Sequence, residues 1–139
     1  MRKHKKCIAL ILLTGLALSL PACVNAPTTI AGNGNGQYQT ITPEAAREWL
    51  AKDSKVVLLD VRTVEEYAEM RIPDSQLLPY DEIADRQSEL PADKNTPIIV
   101  YCRTGRRSEL AAQSLLELGY TSVYDLGGIQ DWPYETTAG

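Results

Sequence analysis

Histidine is almost missing from this 139-residue chain: His4 is the sole example, and it lies in the basic N-terminal stretch. That position removes a Cys-His dyad and a Ser-His-Asp triad from the chemistry open to the rest of the chain. Cysteine is scarce as well, with Cys7, Cys23 and Cys102. So few cysteines, and no histidine past the N-terminus, leave zinc without a ligand set, and no metal or other cofactor is expected. No glycine-rich nucleotide fingerprint of strand–turn–helix length occurs. Long apolar runs are absent too. Cys7 to Leu20, preceded by Arg2, Lys3, Lys5 and Lys6, is too short and too one-sided for a transmembrane helix, and suits a secretory signal. Those four residues belong to the 14 basic residues of the chain, and none of the 18 acidic ones goes with them. The remainder is strongly acidic, which argues against nucleic acid and against electrostatic adhesion to anionic lipid.

Leu20-Pro21-Ala22-Cys23 resembles the bacterial lipobox, in which the cysteine is diacylated and becomes the new N-terminus. The alternative is a plain signal peptide cut near Ala22 or Ala26. Val24 to Gln37, with Pro27 and Gly32-Asn33-Gly34-Asn35-Gly36, reads as a flexible tether of about 20 Å reach, as a lipid-anchored domain requires. The expected organisation is therefore a signal over residues 1–22, a lipidated Cys23 and tether over 23–37, and one domain over 38–139. Such a protein is exported and held in the cell envelope by its lipid. Val24 rather than Asp after Cys23 favours the outer membrane by resemblance to lipoprotein sorting. A monomer is expected.

Beyond the tether, strands alternate with helices. Tyr38 to Ile41 suits a short strand, and Thr42 caps a helix opening on Pro43. Lys55 to Val61 is a near-continuous apolar strand, covered on both faces. Thr63 and Glu66 form a capping box for a helix to about Met70. Ser75 to Leu78 predicts a strand and Asp81 to Leu90 a helix. Ile98 to Tyr101 predicts a buried strand, Ser108 to Leu118 a helix stopped by Gly119, and Ser122 to Leu126 a last strand. This alternation predicts an α/β fold: a mostly parallel sheet of about five strands, helices on both faces, and a site at the carboxyl ends of strands.

Cys102 falls at such an end. Cys102-Arg103-Thr104-Gly105-Arg106-Arg107-Ser108 joins the Ile98 strand to the next helix through a tight turn at Gly105. That arrangement gathers backbone N–H groups and a helix N-terminus around one sulfur, and with Arg103, Arg106 and Arg107 it favours thiolate over thiol. The sulfur is a nucleophile in an anion cradle, and with no histidine its loop must activate it.

Three stretches in this order resemble the rhodanese-like family over nearly all of Tyr38 to Gly139. They are Asp60-Val61-Arg62 with Glu66-Tyr67 and Ile72-Pro73, then Cys102 through Ser108, then Leu126-Gly127-Gly128-Ile129 with Trp132. The resemblance implies a single rhodanese-like domain and a sulfurtransferase whose Cys102 carries a persulfide. Sulfur would pass from an anionic donor such as thiosulfate to a thiophilic acceptor, cyanide or a thiol. Arg103, Thr104, Gly105, Arg106 and Arg107 are the expected substrate-binding loop, with Arg103 and Arg106 steering the donor and Arg107 holding the loop. Asp60 and Arg62 are expected to be structural, through a local ion pair or a loop hydrogen bond, with direct substrate contact by Arg62 the alternative. Met70-Arg71 and Asp74-Ser75 stand where the family often has Gly-His and Gly-Ala. Asp74 tolerates the left-handed conformation that glycine would have eased. Two rival readings share the architecture. One is a non-catalytic interaction module in the envelope. The other is a phosphatase or arsenate reductase, whose loops place an arginine six positions after the cysteine, where this chain has Ser108.

Overall fold

Among the described residues, five strands and three of the four expected α-helices follow one another in the order the sequence predicts. The computed structural model describes residues 37–139. The signal, Cys23 and the body of the tether lie outside the described residues. The strands are β1 (Gln39–Thr40), β2 (Val57–Asp60), β3 (Gln76–Leu77), β4 (Ile98–Cys102) and β5 (Val123–Gly128). The helices are α1 (Pro43–Lys52), α2 (Val64–Glu69) and α3 (Arg106–Glu117). They build one sheet in the order β1-β5-β4-β2-β3 in which every pairing is parallel. An isolated antiparallel bridge, Arg71 to Thr137, ties the C-terminal tail to the turn after α2.

The most apolar strand takes the centre. All five residues of β4 are buried, because helices cover both faces of a parallel sheet. Alternation along β4 divides the core. Ile98, Val100 and Cys102 pack with Ala111, Ala112 and Leu115 of α3 and with Ile83 and Leu90 on one face. Ile99 and Tyr101 pack with Ala46 of α1, Ile72 and Ile129 on the other.

Capping explains where α1 and α2 begin. Thr42 accepts the Ala45 N–H at 3.3 Å ahead of Pro43. Thr63 and Glu66 exchange reciprocal bonds in the capping box. Asp74 occupies the left-handed region at φ 62°, the conformation its place in the turn demands. Residues 81–90 depart from the expected helix: they form irregular turns ending in a 3-10 turn at Gln87–Glu89. Only Ile83 and Leu90 of that stretch face the core. Two anchors seven residues apart do not make the continuous apolar stripe that holds a helix in place.

Candidate active site

β4 delivers Cys102 to the carboxyl edge of the sheet, between β5 and β2, and α3 starts only four residues later. The residue is 1% exposed, and its thiol is not in a disulfide. Gly105 N–H donates to Sγ at 3.0 Å. Gly105 turns at φ 107°, a conformation that side chains rarely adopt, and so begins α3 two residues ahead of the expected Ser108. No side chain caps this helix, unlike α1 and α2. The first helical acceptor is Gly105 C=O, which serves Glu109 N–H at 3.1 Å. The N–H groups of Arg106, Arg107 and Ser108 therefore lack helical partners beside the sulfur, and the positive end of the helix lies there.

A β-bulge shapes the opposite wall. The register shifts between Val100 and Tyr101, so that Leu126 is the extra residue and Gly127 and Gly128 oppose Tyr101 and Cys102. A Cβ on Gly128 would lie 2.6 Å from Arg103 O and 2.9 Å from Thr104 Cα. The closing glycines let the Cys102 loop lie directly against β5.

The three loop arginines separate. Arg107 points inward, and its guanidinium is clasped by both carboxylate oxygens of Glu66, at 2.7 and 2.8 Å. This pairing, the largest cause, holds the Glu66 carboxyl well below its ordinary 4.5, at about 2. Cys102 contributes to raising Arg107 above its ordinary value, behind the dominant hydrogen bond to Glu66. Arg103, Thr104 and Arg106 are exposed on the rim, and neither rim arginine has an ion pair among the described residues.

Asp60 and Arg62 stand under the neighbouring strand end. They form a buried ion pair with an Nη2–Oδ2 distance of 2.5 Å, reinforced from Nε at 2.9 and 3.0 Å. The same Arg62 Nη2 donates to Met70 O at 2.5 Å and so ties β2 to the end of α2. Arg62 is buried with its fork satisfied by protein.

Four residues take roles at the site that the sequence did not assign to them. Glu66 is a helix-start residue that also holds Arg107. Ser108, fully buried, donates to Gly105 O at 2.7 Å, and its oxygen lies 3.8 Å from the Cys102 thiol. Asp125 is buried on β5 and accepts the Gly127 N–H at 2.9 Å. Tyr101 O–H pairs with Ser75 Oγ at 3.0 Å and accepts the Ile72 N–H at 3.1 Å, fixing the turn around Ile72. Glu66 and Ser108 stand in the stretches that carry the family resemblance, without these roles, whereas Asp125 and Tyr101 carry no signal for theirs.

A buried thiol at the end of a parallel strand meets an uncapped helix N-terminus, with an arginine held beside it. The description of the rhodanese-like domain family matches residues 42–134, and the chain belongs to that family. A sulfurtransferase of Allochromatium vinosum is 41% identical over 93 residues, covering 66% of this chain and 85% of that protein. The thiosulfate sulfurtransferase GlpE of Pseudomonas syringae is 35% identical over 108 residues, covering 74% and 98%. Among solved structures, a rhodanese-like domain protein from Staphylococcus aureus superimposes with a TM-score of 0.64 at 31% identity, covering 72% of this chain and 97% of that one. At family level the chain is a rhodanese-like sulfurtransferase.

Proposed function

We propose that the protein moves a sulfane sulfur from thiosulfate or a similar anionic donor to a thiophilic acceptor through a persulfide on Cys102. The observation that carries this reading is Cys102 Sγ seated under the Gly105 N–H at the uncapped start of α3, with Arg107 alongside. The first half-reaction forms a bond from the Cys102 thiolate to the outer sulfur of thiosulfate. The sulfur–sulfur bond of the donor breaks, and sulfite leaves with its electron pair. The persulfide anion inherits the cradle of N–H groups. In the second half-reaction, cyanide or a thiolate attacks the terminal sulfur and Cys102 leaves as thiolate. Arg103 and Arg106, exposed and without an ion pair among the described residues, receive the sulfonate of the donor, while Arg107 shapes the loop.

Phosphoryl or arsenate chemistry is disfavoured. The position six residues after Cys102 is Ser108, and Arg107 is already claimed at both ends of its fork by Glu66. Intact mass after thiosulfate treatment tests the reading. One sulfur atom should add to the wild type and vanish with cyanide as thiocyanate forms, and Cys102→Ser should do neither. Turnover by Cys102→Ser would overturn the covalent route. We also propose the envelope anchor at Cys23, supported by Leu20 to Cys23 and the glycine–asparagine tether. Full-length wild type should fractionate with membranes and Cys23→Ser should not; soluble wild type without acyl mass would refute it.

A further inference from the structure

A chain of short contacts runs from a buried carboxylate on β5 to the sulfur. Asp125 stands opposite Val100, at the last step before the register shifts. It is 7% exposed and has no ion pair among the described residues. A carboxylate in a core strand is costly unless its oxygens are satisfied. Its backbone carbonyl belongs to the β1 ladder, accepting the Ile41 N–H at 3.0 Å. Its side chain acts in the other direction along the strand: Oδ1 accepts the Gly127 N–H at 2.9 Å, across the step where the register shifts. An aspartate that bonds its own backbone two residues on fixes a local turn. Here the turn is the bulge itself, with Leu126 as the extra residue and Gly127 at φ 83°.

That bulge is the wall the Cys102 loop rests on. A Cβ on Gly105 would lie 3.8 Å from Gly127 Cα, and one on Gly128 would lie 2.6 Å from Arg103 O. Ser108 Oγ reaches Gly127 O at 3.4 Å, and Gln130 N–H, just beyond the bulge, donates to Arg103 O at 3.4 Å. Gly105 is also the residue whose N–H points at Sγ, at 3.0 Å. Two adjacent glycines have the widest backbone freedom a chain allows, so left to itself this wall would be loosest beside the reacting atom. We propose that Asp125 is a positioning residue for sulfur transfer. By holding the Gly127 N–H, its carboxylate fixes the bulge, sets Gly127 and Gly128 against the loop, and so aims the Gly105 N–H at Cys102. What Asp125 supplies is an acceptor oxygen in a fixed place. Its negative charge is not required.

This role rests on Cys102 as the sulfur carrier, and two readouts keep the two ideas apart. Sulfur loading from thiosulfate reads the chemistry, and the Gly105 and Gly127 amide resonances read the placement. Asparagine keeps the shape and an oxygen for the Gly127 N–H, whereas alanine removes the acceptor. Asp125→Asn should load within about threefold of wild type, and Asp125→Ala about ten- to a hundredfold more slowly per folded molecule. Both amide resonances should move in Asp125→Ala, and that of Gly105 should stay near its wild-type position in Asp125→Asn. Loading at the wild-type rate, or an unmoved Gly105 resonance, in folded Asp125→Ala would overturn the proposal. An asparagine variant as slow as the alanine one would overturn it too, by putting the effect on the charge. If wild type loads no sulfur, the persulfide reading fails, and the amide resonances still decide whether Asp125 places Gly105. Should Asp125→Ala not fold, wild type alone decides. A scalar coupling across the hydrogen bond should join the Gly127 nitrogen to the Asp125 carboxyl carbon, and its absence would equally overturn the proposal.

Discussion

Glu66 holds Arg107 with both carboxylate oxygens, at 2.7 and 2.8 Å, across a separation of 41 residues. The same side chain closes the α2 capping box on the Thr63 N–H at 3.1 Å. One carboxylate therefore fixes the start of α2 and the first turn of α3, and the Cys102 loop is strung between fixed ends. Bidentate, charge-assisted pairs of this kind set direction as well as energy. The finding gives Arg107 its place: it faces the sulfur but is not free to wrap a tetrahedral oxyanion.

Glu66→Gln should expose that coupling. Glutamine still satisfies a capping box, so what is lost is the negative charge that faces Arg107. Thermal denaturation should show a loss of about 1–2 kcal/mol at neutral pH, allowing for partial solvent access. Sulfur loading should slow as well. The pH dependence has a definite sign. The Glu66 carboxyl is depressed from 4.5 to about 2 in the fold, so its contribution is fully present above 4.5 and disappears as pH falls toward 2. Wild type and variant should converge in stability over that acid window. A gap that persists unchanged below pH 2 would show that the charge is not the cause.

The fold was largely legible because its signals are local. Pro43 after Thr42, the Thr63–Glu66 box, the apolar runs of β2 and β4 and Gly119 after α3 each act within a few residues. Cys102 and its loop were legible for the same reason: strand, glycine turn and helix are contiguous. The grip of Glu66 on Arg107 and the burial of Asp125 on β5 depend on which elements the sheet order brings together. Nothing in Tyr124-Asp125-Leu126 marks a buried acid, because a polar residue in a short strand usually reads as solvent-facing. The bulge at Leu126 is equally silent in sequence, yet it brings the double glycine level with Cys102. The helix expected over Asp81 to Leu90 failed for the opposite reason: good helix formers surround only two core anchors, and packing rather than propensity decides.

Gly128→Ala should damage the site without touching any charged group. The added Cβ would meet Arg103 O at 2.6 Å and Thr104 Cα at 2.9 Å, both backbone atoms that cannot rotate aside. The loop must move away from β5, at a cost of about 1–3 kcal/mol, and the Gly105 N–H loses its aim at Sγ. Sulfur loading should fall far more than the loss of folded protein explains. Gly119→Ala is the control: it sits at φ 90° with nothing within 4 Å of its Cβ. It should cost about 1–2 kcal/mol in backbone strain and leave turnover per folded molecule intact. Equal turnover in the two variants would remove the close approach of loop and glycine from the account of the site.

Arg103 and Arg106 divide from Arg107 in structure, and they should divide in kinetics. Both are exposed and neither is engaged in an ion pair among the described residues, so removing them breaks no internal bond. Arg103→Ala and Arg106→Ala should therefore leave stability within about 0.5 kcal/mol of wild type. Each charge-assisted contact to a small anion is worth roughly 1.5–3 kcal/mol, so kcat/KM for thiosulfate should fall about ten- to a hundredfold in either variant. The loss should be selective. A neutral alkylating agent does not meet the guanidinium groups as an anion does, so its reaction with Cys102 should change much less. Raising the salt concentration should weaken thiosulfate use by wild type and have little further effect on the double variant, since the screened charges are already gone. Unchanged kcat/KM in the double variant would mean that the backbone N–H groups at the start of α3, with Arg107 behind them, select the donor alone.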